Sequence, residues 1–111
     1  HLIINAGDCN PETIRDYNTI FQFAKQLVRD IDMVAYGEPQ IVKFGHDDKA
    51  GYTLVQLIET SNICAHFVDE TNDAYIDVFS CKPFEEKIVI NLVKTFFEAK
   101  KFETLFIDRQ A

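Results

Sequence analysis

Ser61, His66 and Cys81 are the three side chains in the middle of this chain whose types suit proton transfer or covalent chemistry. A serine hydroxyl becomes a nucleophile when a base takes its proton, an imidazole exchanges protons near neutral pH, and a thiol serves as nucleophile or acid. Each also has an ordinary structural reading. Ser61-Asn62 follows an apolar segment and suits a turn. A single His on a strand is more often hydrogen-bonded than catalytic, and Cys81 at the end of an apolar strand packs as a small hydrophobe. Together they carry more. Ser61 lies in a link between two expected strands and Cys81 ends a third, so one end of a sheet would present hydroxyl, imidazole and thiol at close quarters. A Cys/His nucleophilic pair is one such arrangement, although neither residue has a protease-type local signature.

The elements that must position these groups follow from pattern and punctuation. Residues 1–6 (HLIINA) read as a short buried strand. Asn10 is a good cap and Pro11 a good first helical residue. Ile14, Tyr17, Phe21, Ala24, Leu27, Val28 and Ile31 then recur three or four apart, an apolar stripe on one helix ending near residues 30–33. Gly37 and Pro39 break the chain before a strand at 40–44. The polar 45–51 loop (GHDDKAG) precedes strands at 52–59, 63–68 and 74–80, the last two separated by the turn DETND. Pro83 leads into a second helix with Ile88, Leu92, Phe96 and Ala99 on one face, and residues 104–108 make a final strand. The short links imply antiparallel pairing, since parallel neighbours need long crossovers. The expectation is one α+β domain over residues 1–111: a two-layer sandwich, mainly antiparallel sheet, with two helices on one face. A sheet half covered in this way suggests a homodimer.

Composition narrows the class further. With 18 acidic against 11 basic residues the net charge is −7, and no Lys/Arg stripe is available for phosphates, so nucleic-acid binding is not expected. No apolar run approaches the roughly 20 residues of a membrane span, and no basic and apolar leader opens the sequence; a soluble, cytoplasmic protein is expected. Cys9, Cys64 and Cys81 are odd in number and lack CxxC spacing, which argues against a disulfide framework and against a metal site.

Thr60-Ser61-Asn62-Ile63-Cys64-Ala65-His66, then Glu70, then Ala74-Tyr75-Ile76-Asp77-Val78-Phe79-Ser80-Cys81 is similar to the core of the prokaryotic S-adenosylmethionine decarboxylase proenzymes. In that family a Glu-Ser-His triplet is followed by a His five residues after the Ser, and an I-D-hydrophobic-F-[ST]-C strand ends 15 residues later. Here His66 follows Ser61 by five and Cys81 follows His66 by 15. The opening HLII with a Cys at position 9 also resembles the family's first strand and turn.

The resemblance implies a specific chemistry. Ser61 would attack the peptide bond after Thr60 in an N→O acyl shift, and β-elimination would release the upstream chain and leave a pyruvoyl group derived from Ser61, with no metal. That carbonyl would form a Schiff base with the α-amine of S-adenosylmethionine and act as electron sink for loss of CO₂ in polyamine (spermidine) biosynthesis. The resemblance assigns processing to Thr60, Ser61, Thr53 and His66, the acid that reprotonates the α-carbon to Cys81, and a contact with the substrate's sugar to Glu70. The chain departs from the family at Thr60 (Glu in the family), Asn62 (His) and Val68 (a bulky residue). The 45–51 loop has His46, Asp47, Asp48 and Lys49 and no clear stacking aromatic, leaving Phe44, Phe67 and Tyr52 as candidates to face the adenine. Two further readings follow. The same chemistry acts on a basic amino acid, arginine or ornithine, with the acidic loop binding the cationic tail. Alternatively the chain is an unprocessed, non-catalytic homologue that binds a ligand or a partner subunit.

Overall fold

A computed structural model describes residues 1–45 and 47–111; His46 of the acidic loop lies outside the described residues. The elements run β1 (Leu2–Gly7), α1 (Pro11–Ile14), α2 (Tyr17–Asp30), β2 (Ala35–Phe44), a 3₁₀ turn (Asp47–Lys49), β3 (Gly51–Ile58), β4 (Ser61–Val68), β5 (Asp73–Ser80), α3 (Glu86–Phe97) and β6 (Lys101–Phe106). The strands form one six-stranded sheet in the order β2-β3-β4-β5-β1-β6, with every neighbouring pair antiparallel. The α+β class and the antiparallel pairing are as the short links require. No described helix is long and apolar enough to cross a membrane.

Alternation decides which side chains enter the core. Leu2, Ile4 and Ala6 of β1, Ile63, Ala65 and Phe67 of β4, and Ala74, Ile76 and Val78 of β5 are buried with Ile20, Phe23, Ala24 and Leu27 of α2 and Val89, Val93 and Phe97 of α3. The ring of Phe97 sits 4.9 Å from that of Phe23 and 5.0 Å from that of Phe67, so it joins both helices to the centre of the sheet. Phe97→Ala is expected to cost about 3–5 kcal/mol by chemical denaturation, the usual price of an aromatic-sized cavity. A cost below 1 kcal/mol would mean the helices are not packed in this way.

The helices differ from expectation in two respects. The first is broken at residues 15–16. Asp16 leaves the helix and caps a new one, its Oδ2 accepting from the Thr19 N–H (3.0 Å) and hydroxyl (2.6 Å). An Asp in a helix interior competes in this way whenever a donor stands three residues on. In α3 the deepest side is Val89, Leu92, Val93 and Phe97, while Ile88 and Phe96, and Ala99 just past the helix end, sit only partly buried. Both rows are apolar, so periodicity alone left the facing undecided.

β2 begins earlier than Gly37 and Pro39 suggested. A register shift between Tyr36 and Gln40, with Gly37 at a φ of 70°, absorbs both residues and keeps Ala35 and Tyr36 paired with β3. β6 likewise starts at Lys101 and pairs with β1 along its length.

The opposite face of the sheet carries rows of paired residues. One row runs Val42–Thr53–His66–Tyr75–Asn5, and the next Gln40–Val55–Cys64–Asp77–Ile3. No described helix covers this face, and Tyr36, Val42, Phe44, Leu57, Tyr75 and Leu105 are all exposed on it.

Candidate active site

The β3–β4 hairpin is closed by two residues, Glu59 and Thr60, because Ile58 pairs with Ser61. Two-residue hairpins favour turn residues with positive φ, supplied by Gly, Asn or Asp. Neither Glu59 nor Thr60 has one; the positive φ, 154°, falls on Ser61. An L-residue rarely adopts that value, and strain of this kind costs on the order of 1–3 kcal/mol. Strain thus sits on the residue whose hydroxyl the sequence singles out.

The neighbouring strand grips the preceding peptide. Ser61 pairs with Ser80, and the Cys81 N–H donates to the Thr60 carbonyl at 3.0 Å. The Thr60 and Ser80 hydroxyls are 2.7 Å apart and both meet the Met33 sulfur, at 3.4 and 3.5 Å. The Lys82 N–H donates to Ser80 Oγ at 3.0 Å, and Lys82 Nζ reaches the Asp32 carboxylate at 3.2 Å. The Cys81 thiol is exposed at the edge of a cavity of about 320 Å³ lined by Lys82, Phe84, Phe106 and Arg109.

His66 stands toward the other end of β4. Its Nε2 lies 3.0 Å from the Lys49 carbonyl and its Nδ1 2.9 Å from Thr53 Oγ1. A carbonyl only accepts, so Nε2 carries a proton and Nδ1 of the neutral ring accepts from the Thr53 hydroxyl, an assignment made from the bonding partners. Cross-strand pairing of Thr53 with His66 makes this contact, and Gly51 makes it possible: a Cβ there would come within 1.7 Å of the Phe67 carbonyl oxygen. Beside the ring is a cavity of about 470 Å³ lined by Asp48, Glu70, Thr71, Asp73 and Tyr75.

Five residues of extended chain separate Ser61 from His66, roughly 16 Å at about 3.3 Å per residue. The expected gathering of hydroxyl, imidazole and thiol at one end of the sheet is therefore corrected. Ser61 and Cys81 are together; His66 and Thr53 form a second group with Glu70, one strand-length away.

The three thiols are graded by burial. Burial, then the carboxylates of Asp73 and Asp8, pushes Cys9 up to about 11. Burial, then Asp77, also raises Cys64, whose Sγ faces Asn62 Oδ1 at 3.4 Å. Alkylation of the native protein is expected to modify Cys81 first, Cys64 more slowly and Cys9 only on unfolding, read by peptide mass spectrometry; early labelling of Cys9 would contradict its burial. Because the folded state holds Cys9 protonated, its support for the fold is complete below the usual 9.0 and is lost as pH rises toward 11.

The family described as S-adenosylmethionine decarboxylase matches residues 1–110 of the chain. The chain belongs to that family. An S-adenosylmethionine decarboxylase proenzyme of Thermodesulfovibrio yellowstonii is 28% identical over 101 residues, covering 90% of this chain and 72% of that protein. The crystal structure of the adenosylmethionine decarboxylase from Aquifex aeolicus superposes with a TM-score of 0.78 over 99% of this chain and 92% of the other, at 16% identity, a likeness of fold.

Within this decarboxylase-family chain the aromatic candidates separate. Phe67 has the opposite parity to His66 and is fully buried against Phe97, so it is a core residue and not a substrate contact. Phe44 shares the face of Thr53 and His66 and is exposed on the edge strand β2. Tyr52 is half-buried beneath the Lys43 ammonium, 5.0 Å from its ring centre. Residue types alone did not single out Ser80, Met33 or Asp73. The Ser61–Ser80 register would have flagged Ser80 once the β4–β5 turn was counted.

Proposed function

We propose that the chain cleaves itself between Thr60 and Ser61 and that the enzyme so formed decarboxylates S-adenosylmethionine for polyamine synthesis. The observation that carries this reading is the peptide at 60–61: a strained Ser61 follows a carbonyl held by the Cys81 N–H. Attack of Ser61 Oγ on that carbonyl carbon would convert the amide to an ester, relieve the backbone strain and build negative charge on the oxygen facing the N–H donor. The hydroxyl proton leaves to a base and the released nitrogen gains one. Loss of the Ser61 α-proton then expels the Thr60 carboxylate, and water completes conversion of the remainder to a pyruvoyl group with release of ammonia.

The residues present fit such a group at position 61, since the thiol of Cys81 follows directly the amide that grips the cleaved peptide. When bound to substrate, the pyruvoyl group supplies the electron sink for decarboxylation. The exposed Cys81 thiol would serve to protonate the carbon that loses CO₂. The Thr53–His66 pair is a ready proton acceptor, with Thr53 able to pass its proton to Nδ1 as it takes one from Ser61. Because Ser61 and His66 are about a strand-length apart in one chain, this reading takes His66 from a second copy. The exposed apolar residues on the uncovered face support a homodimer packed through that face.

A second reading, decarboxylation of a basic amino acid, is favoured by one observation. Asp48, Glu70 and Asp73 line the cavity beside His66, together with Lys49, Val68 and Tyr75. Three carboxylates suit an ammonium or guanidinium tail better than an adenine.

Denaturing mass spectrometry of the purified chain is expected to give fragments 1–60 and 61–111, the second starting with pyruvoyl. A single full-length mass after long incubation would overturn both readings. Release of CO₂ from carboxyl-labelled S-adenosylmethionine, arginine and ornithine, compared side by side, then decides between them.

A further inference from the structure

We propose that the Ser80 hydroxyl is a positioning residue for self-cleavage, acting with the Thr60 hydroxyl to aim the Cys81 N–H at the carbonyl that Ser61 attacks. The inference rests on the processing reading above and adds to it a residue that touches none of the reacting atoms. Ser80 Oγ makes three contacts: it accepts from the Lys82 N–H (3.0 Å), shares a proton with Thr60 Oγ1 (2.7 Å) and meets the Met33 sulfur (3.5 Å). The first bond folds residues 80–82 into a tight turn of the kind Ser side chains stabilise. The amide inside that turn is Cys81, whose N–H donates to the Thr60 carbonyl at 3.0 Å. The second bond ties the turn to the residue that owns this carbonyl. Donor and acceptor of the critical hydrogen bond are therefore locked by a separate pair of hydroxyls, one on each side.

This lock matters more as charge develops. A hydrogen bond to a neutral carbonyl becomes charge-assisted when the oxygen turns anionic, and a donor already held in line costs no reorganisation at that moment. The rest of the turn is also restrained, because Lys82 Nζ bonds both the carbonyl and the carboxylate of Asp32 at the end of α2. Ser80 is half-buried beside Met33, a weak acceptor, so the hydroxyl has Thr60 and Lys82 as its only strong partners among the described residues. Thr60, one of the positions where this chain departs from its family's pattern, has the hydroxyl that completes the pair.

The test is a time course of cleavage for freshly synthesised full-length chain, followed by intact mass with and without hydroxylamine, which cuts the ester but not the amide. Ser80→Ala is expected to cleave about 10- to 100-fold more slowly, less than or comparable to removal of a direct oxyanion donor. Hydroxylamine should not restore its rate, because the block precedes ester formation. Ser80→Thr, which keeps the hydroxyl, should stay within about threefold of the parent, and Thr60→Val should be slowed like Ser80→Ala while Thr60→Ser is not. Thr60→Val interrogates the same pair from the other side should Ser80→Ala fail to fold, with thermal melting as the control. Three outcomes overturn the proposal alone: Ser80→Ala cleaving at the parent rate, rescue of its rate by hydroxylamine, or a folded Ser80→Thr as slow as Ser80→Ala. A parent chain that never cleaves overturns the processing reading itself, and this inference with it.

Discussion

Ser61→Ala is expected to remain a single full-length chain under every condition and to release no CO₂ from any substrate. The methyl group provides neither the oxygen that forms the ester nor the leaving group of the elimination, so both steps stop. The fold should survive, because Ser61 is only half-buried and its hydroxyl does not supply the hairpin's cross-strand backbone bonds. His66→Ala alone should slow cleavage by about 10²–10⁴-fold, the usual worth of a positioned base. The decisive experiment combines the two. Ser61 and His66 lie roughly 16 Å apart on one strand, so the proposed reading pairs Ser61 of one copy with His66 of another. When the two variants are co-expressed with different tags, the His66→Ala chain should be cut and the Ser61→Ala chain should not. If the His66→Ala chain stays whole in the mixed dimer, the shared site is wrong. If neither variant associates with the other, the uncovered sheet face is not the interface.

Cys81→Ala is expected to separate cleavage from turnover. The backbone N–H at position 81 survives the substitution and still faces the Thr60 carbonyl, so the two fragments should appear within about threefold of the parent rate. Decarboxylation should fall by about 10²–10⁴-fold, the contribution of a positioned general acid. Loss of the acid also changes the product. The carbon that loses CO₂ must wait for a proton from solvent. Misdirected protonation would leave the substrate's amine nitrogen on residue 61 in place of the carbonyl oxygen and release the rest of the decarboxylated substrate as an aldehyde. A mass increase on the 61–111 fragment during turnover, faster than in the parent, is the signature to seek. Unchanged turnover would remove Cys81 from the acid role, and a failure to cleave would mean the thiol acts earlier than proposed.

Much of the fold is legible in the residue pattern. Alternation in IDVFS and NICAHFV marks strands buried on one side, and links as short as Glu59-Thr60 leave antiparallel pairing as the only geometry. The points that escaped have local causes. Asp16 reads as one polar residue in an amphipathic stripe, yet its carboxylate had a Thr donor three residues on and stopped the helix. α3 is apolar on two adjacent rows, and only packing against Phe23 and Phe67 chose Phe97 over Phe96 for the deepest place. Phe67 looked like an aromatic beside the chemistry because it is next to His66 in sequence; in a strand that adjacency puts it on the opposite face.

By itself the sequence determined the chemical vocabulary: a serine, a histidine and a cysteine at spacings of five and 15, on strands of one antiparallel sheet, in a chain of net charge −7. Spacing along a strand is a statement about distance as much as about identity, and it carried the family resemblance without showing where the groups meet. The tertiary structure decided the grouping. Register set Ser61 against Ser80 and Thr53 against His66, the hairpin moved its positive φ onto Ser61, and the Cys81 N–H met the Thr60 carbonyl. These depend on which residues face one another across strands, and cross-strand partners are chosen by turn length and core packing, which no single segment contains.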